Sequence, residues 1–170
     1  MGMRRMSTIT YPATGQMLPD FHLPTVDRRR IRLSDYRNRR NIFLIVLQGL
    51  SAGTDRLLSE VAQAAEELAD DNAQALVVVE GPLQAAQSLQ QMYRLPFPVL
   101  ADETGAVAGL LGPEVGSGPR LAVHIASRSS RVYWSAWLGP DDRPPTVKDI
   151  RGWLEFIEIQ CPECEAPEWS

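Results

Sequence analysis

The chain has 170 residues, enough for one domain around a single core. Its hydrophobic fraction of 44% and charged fraction of 22% are those of an ordinary globular protein. A formal net charge of -4 argues against non-specific nucleic-acid binding, and no apolar run reaches membrane-span length.

Met1-Gly2-Met3-Arg4-Arg5-Met6 carries charge but lacks the apolar segment of a secretory signal, so a cytoplasmic location is expected. Thiols there stay reduced unless they are in use. Phe21 to Leu23 and Ile31 to Leu33 alternate on either side of Val26-Asp27-Arg28 and read as a hairpin, followed by a turn at Ser34 to Arg37. The arginines around this turn (28, 29, 30, 32, 37, 39 and 40) fit a solvated surface better than a phosphate site.

Ile42 to Leu47 is continuously apolar, as a strand covered on both faces requires. From Asp55 the period turns helical, with Leu57, Leu58, Val61, Ala64, Ala65 and Leu68 spaced by three and four. Strands follow at Ala75 to Val79 and Pro98 to Ala101, with a helix over Pro82 to Tyr93 between them. A short helix over Ala106 to Leu111 precedes an antiparallel pair, Arg120 to Ala126 and Val132 to Trp137. Thr146 and Asp149 form a capping box for a last helix whose apolar stripe is Val147, Ile150, Trp153, Leu154 and Ile157. The order predicts an α/β fold, a mixed sheet with helices on both faces. The expected organisation is a tail over 1–13, a domain over 14–158 and a second tail over 159–170.

Gly15, then Pro19-Asp20-Phe21-His22-Leu23, then Leu33-Ser34-Asp35-Tyr36 resemble the opening of the alkyl hydroperoxide reductase and thiol-specific antioxidant family, the peroxiredoxins. Phe97-Pro98-Val99-Leu100-Ala101-Asp102, Gly105 and Val107-Ala108 resemble that family's Pro-x-Leu-x-Asp-x-x-Gly-x-Val-Ala segment. The resemblance spans about Thr14 to Trp137. It implies a thioredoxin-like fold, an antioxidant or redox role, a dimer and a thioredoxin-type reductant.

It also implies a Pro-x-x-x-Thr-x-x-Cys motif after the first long strand, with the cysteine in a helix's first turn, where the dipole favours its thiolate. Here the sequence is Leu50-Ser51-Ala52-Gly53-Thr54-Asp55-Arg56-Leu57. Aligned on Thr54, Leu57 takes the cysteine position and Glu60 matches an acidic residue common downstream. Aligned without a gap from the strand, Asp55 takes that position. Neither supplies a thiol. Arg120 matches the arginine that serves the family's active site, while Ala126 and the turn after it depart from the usual Asp-x-x-Gly. Thr54, Glu60 and Arg120 are therefore the candidate remnant of the family pocket. Otherwise Thr54 is a helix cap and Arg120 a structural charge.

The remaining chemistry lies in Cys161-Pro162-Glu163-Cys164, the only cysteines in the chain. As a dithiol that cycles with a disulfide, Cys161 and Cys164 are the candidate catalytic residues. Their place after a helix C-terminus, among Glu158, Glu163 and Glu165, disfavours the thiolate and predicts a slow nucleophile. The same spacing is half a tetrahedral zinc site, which two tails meeting across a dimer, or carboxylates, would have to complete. In a third reading the pair is inert and the protein is a binding or structural one that needs no cofactor. Trp169 is expected to pack against the body or a second subunit. His22 and His124 read as ordinary hairpin and sheet residues.

Overall fold

An antiparallel hairpin of β1 (His22–Pro24) and β2 (Arg30–Arg32) opens the computed structural model, which describes residues 14–111 and 120–160. The two motif aspartates explain their places. Asp20 Oδ1 accepts from the Phe21 N–H at 3.0 Å and from the Ser34 N–H at 2.9 Å, which pins the chain before the hairpin to the chain after it. Asp35 Oδ2 accepts from the Arg32 N–H at 3.1 Å and caps a one-turn 3-10 helix over Leu33–Tyr36.

The main sheet has five strands in the order β5-β4-β3-β6-β7: β3 (Asn41–Gln48), β4 (Ala73–Glu80), β5 (Val99–Asp102), β6 (Arg120–Ala126) and β7 (Val132–Leu138). The β3–β4 and β4–β5 pairs are parallel; β3–β6 and β6–β7 are antiparallel. Central β3 is buried along Asn41 to Leu47, which accounts for its unbroken apolar run. The mixed sheet and its hairpin match the predicted fold class.

Among the described residues, five α-helices cover the sheet: α1 (Ala52–Gln63), α2 (Ala65–Asp70), α3 (Leu83–Tyr93), α4 (Ala106–Leu111) and α5 (Val147–Glu158). One core face joins Phe43, Ile45 and Leu47 to Leu57 and Val61 of α1, Leu89 of α3 and Leu154 of α5. The other joins Ile42, Leu44 and Val46 to Phe21, Leu33 and Leu111 of α4. Alternation along β3 thus serves both layers. Periodicity predicts one helix from Asp55 past Leu68. The structure breaks it at Ala64 (φ -99, ψ 14), a point with no Gly or Pro to announce it.

The Asp-x-x-Gly-x-Val-Ala segment is a turn that starts α4. Buried Asp102 accepts the Ala108 N–H on Oδ2 at 2.8 Å, and its carbonyl takes the N–H groups of Gly81 and Gly105. Gly105 sits at φ +74, and a Cβ there would lie 2.8 Å from Glu80 Oε1. His124 on β6 is fully buried. Its Nε2 lies 2.7 Å from the Leu111 carbonyl, so Nε2 donates, and Nδ1 accepts from the Ser135 hydroxyl at 2.8 Å. Desolvation holds its pKa down at about 4, against the raising effect of the Leu111 bond. It is a neutral strut between α4 and β7, in keeping with a satisfied sheet histidine.

Candidate functional site

The carboxyl ends of parallel strands are where ligands collect in open α/β sheets. Here β3 ends at Gln48, and the loop over Gly49 to Ser51 leads into α1. Ser51 is the helix cap: its Oγ accepts the Thr54 N–H at 3.3 Å and lies 3.2 Å from the Thr54 hydroxyl. Thr54 is therefore not the cap but a first-turn residue, only 1% exposed.

The two alignments of this loop have different physical outcomes. Leu57 is 0% exposed and belongs to the core under α1. Asp55 is exposed in the first turn and accepts a 2.6 Å hydrogen bond from the Tyr93 hydroxyl on α3. Partial desolvation, then the Asp55 bond and charge, push the Tyr93 pKa up to about 12. Asp55 thus stands in the first turn of α1, tied to a neighbouring helix.

Arg120 opens β6 directly opposite Gln48 in the sheet register. It shares with Thr54 the end of the sheet where β3 runs into α1, and the structure brings those two predicted residues to one pole. Gln48 Nε2 donates to Glu80 Oε2 at 2.7 Å beside them, a polar contact the sequence did not announce. Glu60 is drawn elsewhere. Its Oε1 accepts from Arg56 Nε at 3.0 Å, and it lines a small cleft of about 120 Å³ with Arg143 to Thr146. The i,i+4 spacing of Arg56 and Glu60 was the signal for that pairing.

Cys161, Cys164 and Trp169 lie outside the described residues. Among the described residues no group of three or more His, Cys, Asp and Glu side chains could hold a metal. What the structure fixes is the end of α5. Asn41 Nδ2 donates to Glu158 Oε1 at 2.6 Å, which puts the last residue of α5 beside the first residue of β3. Thr54 and Arg120 are at the other end of β3, about 23 Å away at the usual strand rise.

A second cleft, of about 760 Å³, runs between α5 and β7 and escaped the sequence reading. Trp134, Leu138, Trp153 and Phe156 line it, with Arg143 and Lys148 at one end. Its walls come from a strand and the helix that follows it, in different layers, which periodicity within one element cannot bring together.

A mixed five-stranded sheet in this order, with an N-terminal hairpin and a loop-to-helix pole facing an arginine, defines a thioredoxin-like fold of the peroxiredoxin kind. The AhpC/TSA family model matches residues 14–126, and the chain belongs to the AhpC/TSA family. Among solved structures it resembles the peroxidoxin BcpB of Mycobacterium tuberculosis, with TM-score 0.69 and 18% identity over 87% of this chain and 98% of that one. It also resembles the reduced 2-Cys peroxiredoxin of Plasmodium vivax, with TM-score 0.75 and 11% identity over 85% of this chain and 81% of that one. For Mycobacterium bovis AhpC the values are 0.72 and 15%, over 93% of this chain and 98% of that one. Identities this low speak to the fold alone. No curated protein matches the chain.

Proposed function

We propose that this AhpC/TSA-family chain is a thiol–disulfide oxidoreductase whose redox centre is the Cys161–Cys164 dithiol, acting apart from the family's usual pocket. One observation carries the reading: the only two thiols of the chain are Cys161 and Cys164, while the loop after β3 has the buried Leu57 and the Tyr93-bound Asp55 where a thiolate would be needed. A leucine has no lone pair to attack an O–O bond, and a carboxylate is not oxidised by peroxide.

The end of α5 at Asn41 supports a separate location. Three extended residues reach about 10 Å, less than half the length of β3. A thiol three residues past Glu158 therefore works without the Arg120 of its own chain. In the cycle, the thiolate of one cysteine attacks a partner disulfide and expels a thiolate, giving a mixed disulfide. The second cysteine then attacks that bond, releases the reduced partner and leaves a Cys161–Cys164 disulfide. A thioredoxin-type dithiol returns the two electrons and becomes oxidised itself. With a peroxide instead, the thiolate attacks one peroxide oxygen, the O–O bond breaks and the alkoxide leaves, and the sulfur becomes a sulfenic acid; the second thiol then attacks that sulfur, closes the disulfide and expels water. The acidic surroundings make both routes slow at neutral pH. A cytoplasmic setting and a homodimer, both consistent with the family, complete the reading.

The test compares the intact protein with the Cys161→Ser/Cys164→Ser variant, in disulfide reduction and in peroxide consumption, each supplied with a dithiol reductant. Turnover that disappears in the variant is expected. Equal turnover, or none in either, sinks the proposal.

A second reading is a catalytically silent binding or structural member, favoured by the conversion of the family loop into packing, with Leu57 in the core and Asp55 tied to Tyr93. In its metal form, two tails share one zinc ion through four thiolates. Purified protein holding one zinc per two chains, lost in the double serine variant, would favour it.

A further inference from the structure

We propose that the cleft between α5 and the edge strand β7 binds an amphipathic organic anion, a medium-chain acyl carboxylate. The cleft's volume of about 760 Å³ falls in the range of small-molecule sites. Its two ends differ in chemistry. At one end Arg143 and Lys148 stand beside the start of α5, where the helix's positive pole adds to their charge. Neither takes part in the ion pairs found among the described residues. Asp149 lies at the same end, but its carboxylate accepts the Thr146 N–H at 3.0 Å and is committed to the cap. The balance at this mouth is positive.

At the other end the ring of Phe156 stands edge-on to Trp153 at 6.0 Å and to Tyr133 at 6.2 Å. Phe156 is 46% exposed, a large apolar surface left facing solvent. From Lys148 to Phe156 the helix rises about 12 Å, the length of a medium acyl chain. Between these ends the lining is Trp134, Ala136, Leu138, Ile150, Gly152 and Trp153. This lining is mostly apolar side chain, which a hydrocarbon chain covers without leaving polar groups unmet. One charged end, an apolar body and a matching length favour an acyl carboxylate over a peptide.

The cleft is distinct from the Thr54–Arg120 pole yet adjoins it. Pro144, in its lining, lies 3.3 Å from where a Cβ on Gly53 would sit. The cleft's wall at Pro144 is thus a neighbour of the first turn of α1.

Titration of the full chain with hexanoate, octanoate and decanoate, kept below micelle-forming concentrations, would be followed by tryptophan fluorescence. Saturable single-site binding is expected, with affinity rising up to about fourfold per added methylene. Lys148→Glu with Arg143→Glu should weaken decanoate at least about tenfold and leave decanol, the uncharged counterpart, unaffected, with an unchanged far-ultraviolet circular dichroism spectrum. Absence of saturation, no dependence on chain length, or equal loss for decanoate and decanol would overturn the proposal. Binding seen only after removal of residues 161–170 would also overturn it, assigning the cleft to the chain's own tail.

Discussion

Asn41 and Glu158 join the first residue of β3 to the last residue of α5 through a hydrogen bond of 2.6 Å from Asn41 Nδ2. The same buried side chain accepts the Arg128 N–H on Oδ1 at 3.1 Å, so one amide holds the strand, the helix end and the β6–β7 turn together. This contact decides which pole of the sheet the chain reaches before its cysteines. Asn41→Ala strips both bonds and leaves the Arg128 N–H to find another acceptor. Urea unfolding should show a loss of about 2–3 kcal/mol. A loss under about half a kilocalorie would mean that α5 does not depend on this clasp.

His124 makes stability depend on pH. Its pKa is about 4 in the fold, held down by burial, against 6.5 for the free side chain. Below pH 6.5 the unfolded chain therefore binds a proton that the folded chain refuses, and stability falls as the pH drops from 6.5 towards 4. The contribution is fully present above pH 6.5. Its loss amounts to about 2 kcal/mol by pH 5 and about 3 kcal/mol near pH 4. Urea midpoints measured from pH 7 to pH 5, before most carboxylates titrate, should fall steadily in the native chain and stay nearly level in His124→Gln. Parallel curves for the two proteins would show that the buried imidazole does not control this slope.

Ser130 sits at φ 68 in the turn between β6 and β7, the left-handed region that favours glycine. Its backbone is held by the Ser127 carbonyl at 2.7 Å. A left-handed conformation costs a non-glycine residue about 1–2 kcal/mol, while glycine adds about 0.5–1 kcal/mol of unfolded-state entropy. Ser130→Gly should then raise stability by up to about 1 kcal/mol, seen as a higher melting temperature. A lower one would mean that the buried hydroxyl contributes more than the strained backbone costs.

Much of this architecture was legible because its signals are local. The boundaries of β6 and α4, and the Thr146–Asp149 box of α5, follow from residues within one element. The family motifs were legible too, and the structure supplies their cause in the bonds of Asp20, Asp35 and Asp102. Glu60 was harder, since family position grouped it with Thr54 and Arg120 while Arg56, four residues before it on α1, claims its carboxylate. The break at Ala64 has no breaker residue. Asn41–Glu158 joins residues over a hundred positions apart, and the α5–β7 cleft forms between two layers, a packing that the pattern within either element does not specify.

The loop after β3 offers a direct chemical test of its own alignment. If the family cysteine corresponds to Asp55, a thiol placed there stands exposed in the first turn of α1, where the helix dipole favours its thiolate. If it corresponds to Leu57, the thiol is buried among the core residues under α1. In a background without Cys161 and Cys164, Asp55→Cys should react with an aromatic disulfide reagent at least about a hundredfold faster than Leu57→Cys. Leu57→Cys should in addition lose about 2 kcal/mol of stability from the emptied core volume. Asp55→Cys also releases the Tyr93 hydroxyl, so a tyrosine that titrates near 12 should move towards the ordinary value in the ultraviolet titration. Comparable labelling of the two variants would show that α1 opens far enough to expose its inner face. The loop would then be a mobile element rather than the packed one that Leu57 and Tyr93 define.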